Sequence, residues 1–285
     1  MGYIKTKNQK TGSVFIFIFL IIAGAFMLMP IYLTIVMAIK PVEEIFLFPP
    51  EIYTLRPTLD NFRDMFEVMN NSRVPFWRYI FNSFTVTLSV TVLQCAFSSM
   101  AAFVLAKCRF PASKLINSII VTALLYQSNV IYIMQYIIMS KMEIIDSPLA
   151  LILPLVASPV SLFLMRQSII QVPDSVIEAA KMDGAGLFRI CWQIIMPNQK
   201  PAFVTVIIFA FQSSWNMQSD NFIFQEQYKT LPTVVNQVAL SGLARAGITM
   251  AAAVFVLIPP VIVFMFAQRH VIETMSHSGI KQSGA

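Results

Sequence analysis

None of the nine glycines in this 285-residue chain is followed by lysine. The chain therefore cannot build the Gly-x-x-x-x-Gly-Lys loop that cradles nucleotide phosphates. Histidine is scarce, at two residues, and the three cysteines, Cys95, Cys108 and Cys191, stand far apart. That leaves no Cys/His cluster of metal-binding spacing and no disulfide framework. Neither Gly-x-Ser-x-Gly nor His-Glu-x-x-His occurs, so hydrolase chemistry has no motif behind it. Charge is sparse too: 12% of residues are Asp, Glu, Lys or Arg, about half the share of a soluble domain.

What fills the chain is apolar. Hydrophobic residues make up 57% and the mean hydropathy is +0.70, which indicates a polytopic, all-α membrane protein. Six segments approach the roughly 20 apolar residues a helix needs to cross the hydrocarbon core: 14–39, 79–106, 115–139, 149–165, 202–219 and 248–268. The first follows Lys5, Lys7 and Lys10, and it is too long, with no Ala-x-Ala end, for a cleaved signal. Pro154, Pro159, Pro259 and Pro260 interrupt the fourth and sixth segments, as is tolerated where neighbouring helices satisfy the freed carbonyls. None of the six holds Asp, Glu, Lys, Arg or His, which speaks against ion-coupled carriers, pumps and voltage sensors.

The net charge of +6 reads as orientation rather than nucleic-acid binding. With the N-terminus inside, eight Lys and Arg fall outside (Lys40, Arg56, Arg63, Arg73, Arg78, Lys141, Lys229 and Arg245), leaving twelve of the 20 inside. Both termini are then expected in the cytoplasm of a multi-pass plasma-membrane protein. The expected organisation is a 1–13 tail, a first span with its external loop over 14–78, a core over 79–270 and a tail over 271–285. The external loop, 40–78, is expected to be a connector with a short amphipathic helix or, functionally, a lid or docking surface for an extracytoplasmic partner, and 220–247 is expected to form a second external loop.

A polar island of charge and glycine between long apolar segments is the loop 166–201, expected in the cytoplasm. Asp174 and Ser175 follow Pro173 as candidate N-caps, and Ser175-x-x-Glu178 has capping-box spacing. A helix over 175–183 would be ended by Gly184 and Gly186, both free to take positive φ, and a second helix over 187–195 would stop before Pro197. The small Ala179 and Ala180 permit close approach by another surface. This pattern, Glu178-Ala-Ala with Gly184 and then Ile194-x-x-Pro197, resembles the coupling loop of ABC importer permeases. So do Asn82-Ser83, Arg109-Phe-Pro111, Leu151-x-x-Pro154, Leu164-x-Arg166, Trp215-Asn216 and Gln268-Arg269, most specifically in the second, six-span permease of the maltose-transporter type. Two departures stand out: where the family usually follows Trp-Asn with an Asp and an aromatic, this chain reads Trp215-Asn-Met-Gln-Ser-Asp220, and the third span reads Leu125-Tyr-Gln-Ser-Asn129 without the family's proline.

The resemblance implies a type I ABC importer permease fold and a non-catalytic subunit with no bound cofactor. The implied partners are a second homologous permease, an ABC ATPase homodimer holding ATP and Mg, an extracytoplasmic solute-binding protein and the lipid bilayer. Glu178, Ala179, Ala180, Asp183, Gly184, Ala185 and Pro197 become the expected ATPase-coupling residues. The implied cargo is a carbohydrate, an oligosaccharide or glycoside. Uncharged hydrogen-bonding groups and aromatic faces suit such a solute, so Gln127, Ser128, Asn129, Gln212, Trp215 and Asn216 are the expected translocation path, although buried amides and hydroxyls also join membrane helices. A peptide, polyamine or amino acid cargo would favour acidic span residues, which are lacking. A membrane scaffold or sensor using the loop to bind a soluble regulator is the alternative outside transport.

Overall fold

A computed structural model of the chain describes residues 7–49, 51–70, 74–125, 128–242 and 245–280. Its described residues are nearly all helical and fall into two compact units, residues 1–71 with 235–255, and residues 72–234 with 256–285.

The first unit opens with α1 (Lys7–Ile39), whose residues 16–39 are apolar on every side, as a membrane-spanning helix requires. After the single-turn α2 (Val42–Ile45), the external loop folds back into α3 (Asp60–Asn70), the amphipathic helix expected there. Asn61 joins the two ends: its amide donates to the carbonyls of Ala38 at 3.0 Å and Lys40 at 2.7 Å, while the Thr58 amide donates to the Ile39 carbonyl at 2.8 Å. These bonds satisfy carbonyls that a helix C-terminus leaves open. Gly247 approaches Asn61 so closely that a Cβ there would lie 2.2 Å from Oδ1. Phe62 and Phe66 meet Phe255 edge to face, with centroids 6.2 and 5.9 Å apart.

The second unit is organised by α4 (Phe76–Lys107). Its buried stripe, Ser83, Thr87, Val90, Gln94, Ser98 and Ala102, is small or polar, whereas Phe81, Phe84, Leu88, Val92 and Phe97 face outward. That inverts a soluble helix, and it fits a solvent of lipid tails, where small residues let helices approach closely. Gln94 Nε2 donates to Ser161 Oγ at 2.5 Å across this interface. α5 (Ser113–Ala123) and α6 (Ser128–Lys141) occupy the expected third span in two pieces of 11 and 14 residues, with 126 and 127 outside the described residues. α7 (Pro148–Val156) and α8 (Pro159–Ile170) form one 23-residue apolar run. It is interrupted at Ala157-Ser158, where the Ser158 hydroxyl caps α8.

The chain then passes through α9 (Asp174–Met182), α10 (Leu187–Arg189), a π-helical turn over Ile190–Ile195 and α11 (Met196–Asn198), and turns by 89° into α12 (Lys200–Trp215). α13 (Leu231–Leu240) and α14 (Ala246–Ile280) complete the fold. Four described helical runs are long and apolar enough to cross a membrane, Ile16–Ile39, Phe76–Lys107, Pro148–Ile170 and Ala246–Gln268, and the bent pair ending in α12 makes a fifth.

At the α4 N-terminal end, the segment between α12 and α13 is pinned from two sides. Asn82 Nδ2 donates to the Gln227 and Lys229 carbonyls at 2.8 and 3.0 Å, and the Leu231 amide donates to Ser83 Oγ at 2.8 Å. Across from them, the Asp146 carboxylate accepts the Phe224 and Gln225 amides.

Candidate functional site

The loop between α8 and α12 is built onto the core of the second unit. Ile177 and Ala180 of α9, with Ile190, Cys191 and Ile195 of the π turn, pack into one apolar cluster with Phe103, Met165, Ile169 and Val172. The loop is therefore rooted in the membrane helices. Its other face is open: Glu178, Ala179, Lys181, Asp183, Gly184 and Pro197 are exposed, and Ala185 is half-buried. Met182, 88% exposed, projects with Leu187 and Phe188 as an apolar tip. Cavities of about 400 and 520 Å³ flank α9, one bordered by Ala179, Asp183 and Arg189, the other by Glu178, Lys181 and Arg109.

Gly184 is where glycine is required. Its φ is +77°, its amide donates to the Lys181 carbonyl, and the Ala185 amide donates to the Ala180 carbonyl, both at 3.0 Å. This six-to-one and five-to-two pair is a Schellman stop, which needs a left-handed residue at the position Gly184 fills. Gly186 does not share the role expected of it. Its φ is −69°, and it begins α10 instead.

Two further expectations are corrected. The capping box at Ser175 does not form: the helix begins at Asp174 with Pro173 as its N-cap, so Ser175 lies inside the first turn, no side chain caps the helix, and the Asp174 carboxylate is held by Lys107 at 2.7 Å. Pro197 does not end the second helix either. The turn widens to π geometry, with the Met196 amide bonded to the Cys191 carbonyl, and the helical path continues to Asn198. Such widening accommodates a residue that has no amide hydrogen to offer the preceding turn.

Lys107 Nζ also donates to the Val172 carbonyl at 2.5 Å. Its ammonium holds the Asp174 carboxyl below the usual carboxylate range, through the hydrogen bond first and its charge second, with a smaller pull from Arg109. Nothing local in the sequence marks this pair, whose members are 67 residues apart.

The expected path residues separate. Gln127 lies outside the described residues, as do the side chains of Ser128 and Asn129, which begin α6. Gln212 and Asn216 are exposed at the end of α12, where Asn216 Nδ2 donates to the Gln212 carbonyl at 3.0 Å. Trp215 is turned into the core, 1% exposed, stacked on Phe211 and edge-on to Phe84. Its indole N–H donates to the Val256 carbonyl at 2.9 Å. Val256 is four residues before Pro260, so this is the carbonyl the proline leaves without a helical donor.

The chain is similar to known transport proteins over nearly its whole length. The sn-glycerol-3-phosphate transport system permease protein UgpE of Yersinia enterocolitica is 29% identical over 279 residues, covering 92% of this chain and 95% of the relative. UgpE of Escherichia coli O1:K1 is 27% identical over 268 residues, with the same coverage. Among solved structures, a chain of a bacterial ABC transporter involved in the import of the acidic polysaccharide alginate superposes with a TM-score of 0.79. It is 19% identical, covering 94% of this chain and 99% of that one, and the fold is the same. A sequence profile matches residues 8–277, and the chain belongs to the family of binding-protein-dependent transport system inner membrane components.

Proposed function

We propose that this permease carries a carbohydrate, an oligosaccharide or glycoside delivered by an extracytoplasmic solute-binding protein, through a path shared with a second homologous permease. An ABC ATPase homodimer holds the ATP and Mg, and this chain binds no cofactor and does no covalent chemistry. The loop 166–201 faces the cytoplasm, as the Lys and Arg balance favours, and both termini lie on that side. The observation carrying this reading is the loop itself: a helix, a Schellman stop and a second helix, seated on the core by Ile177 and Ala180, with Glu178 and Asp183 outward and an apolar tip beside them. An element so rooted passes a push on its outer face to the membrane helices. Closure of the ATPase pair on ATP moves the loop, and the helices switch from inward- to outward-facing.

The relatives' names support a polyhydroxylated cargo. The uncharged Gln212 and Asn216 at the end of α12 suit hydroxyl groups, and they favour a neutral solute. Co-purification in mild detergent tests the partners: a second permease and an ATPase should accompany the chain, and Glu178→Lys should lose the ATPase while still inserting. An ATPase retained undiminished by Glu178→Lys would refute the docking role. Uptake by the reconstituted complex with its binding protein, of labelled neutral oligosaccharide against sn-glycerol-3-phosphate, tests the cargo. Uptake of the phosphate ester alone would refute the neutral assignment.

A further inference from the structure

Lys107 closes α4, yet its side chain is only 7% exposed. Both of its acceptors mark the start of α9: Asp174 is the helix's first residue, and the Val172 carbonyl lies two residues earlier. Lys107 lies at the negative end of the α4 dipole and Asp174 at the positive end of the α9 dipole, so each charge favours its own helix as well as the other. The apolar seat under Ile177 and Ala180 attracts without direction. The ammonium supplies direction, because two acceptors at fixed distances define how α9 is pitched against α4. α4 in turn packs on α7, α8 and α12, the helix that ends in Gln212 and Asn216.

We propose that Lys107 is a positioning residue for energy coupling. It fixes α9 to the end of α4, so that displacement of the loop reaches α4 and α12 instead of being absorbed at the Val172-Pro173 turn. This rests on the coupling reading above. It concerns a residue outside the loop that would never touch the ATPase to do its work.

The test uses the assembled complex in nanodiscs, with Cys95, Cys108 and Cys191 replaced by alanine and a reporter thiol at Asn216→Cys. The readout is the change in labelling rate by a charged maleimide when ATP and vanadate are added. Lys107→Met should keep the ATPase subunit and its hydrolysis, yet reduce that change at least about fivefold, the lower end of coupling between distant sites. Lys107→Arg, which keeps the charge and the reach, should preserve it; a merely structural residue would change the melting temperature without this split. An undiminished ATP response in Lys107→Met overturns the proposal. If Lys107→Met does not assemble, Asp174→Asn takes its place, with a weakened response expected and an undiminished one overturning. Failure of the unaltered chain to retain an ATPase would instead sink the coupling reading on which the proposal stands.

Discussion

Replacing Trp215 with phenylalanine removes one hydrogen-bond donor and keeps an aromatic ring against Phe211 and Phe84. The lost donor serves the Val256 carbonyl, which Pro260 deprives of its helical partner. An unsatisfied buried carbonyl costs about 1–3 kcal/mol, although hydrogen bonds between membrane helices average about 0.6 kcal/mol and reach about 1.7. The smaller ring also loses packing, so the single substitution cannot isolate the bond. A cycle with Pro260→Ala does, because alanine restores an amide that can donate to the same carbonyl. The expected coupling is about 0.6–1.7 kcal/mol, with Trp215→Phe costing less in the Pro260→Ala background. At roughly 2–4 °C per kcal/mol for a chain of this order of size, that is a difference of about 1–7 °C in melting temperature at fixed detergent. Equal losses in the two backgrounds would show that the indole N–H does not compensate for the proline.

Gly184→Ala forces a side chain into φ +77° with nothing nearby to clash with, so its cost is backbone strain of about 1–2 kcal/mol, whereas Gly186→Ala, at φ −69° in open space, should lie within about 0.5 kcal/mol of the parent. Melting of the two variants checks this, and Gly184→Asn should recover part of the loss because asparagine tolerates the left-handed region. The Asp174 carboxyl has its folded pKa depressed, so the stability it contributes through Lys107 is complete above the ordinary carboxylate value of about 4 and is lost as pH falls through the lower folded value. The gap in melting temperature between the parent and Asp174→Asn should therefore be constant from about pH 6 to 8 and close only under stronger acid. A gap that closes near neutrality would contradict the assignment.

Local chemistry made part of this molecule readable. Gly184 could be placed because only a few residues accept the conformation that ends α9, and the apolar runs announced the long spans because a bilayer demands length. Long-range pairing was not readable. Asp174 looked like a helix cap until Lys107, 67 residues earlier, claimed it. Trp215 sat among polar residues that suited a path, yet its donor belongs to a carbonyl 41 residues further on. The π turn before Pro197 was hidden for another reason. A proline usually ends a helix, and the local sequence does not show that Ile190, Cys191 and Ile195 of the preceding turn are packed in the core while that turn widens around the missing amide hydrogen.

The small and polar stripe on α4 also has a consequence for how the chain is made. Among the described residues, the helices that pack most extensively on α4 are α7, α8 and α12, which lie later in the sequence, beginning at Pro148 and ending at Trp215. At a synthesis rate of about 5–20 residues per second, α4 emerges roughly 2–8 s before α7 begins, and waits roughly 5–22 s for α12 to finish. During that interval Gln94 waits for Ser161 of α8, and Ser83 waits longer still for the Leu231 amide. The order of translation, as much as the final packing, therefore decides when these polar groups on α4 gain their hydrogen-bond partners.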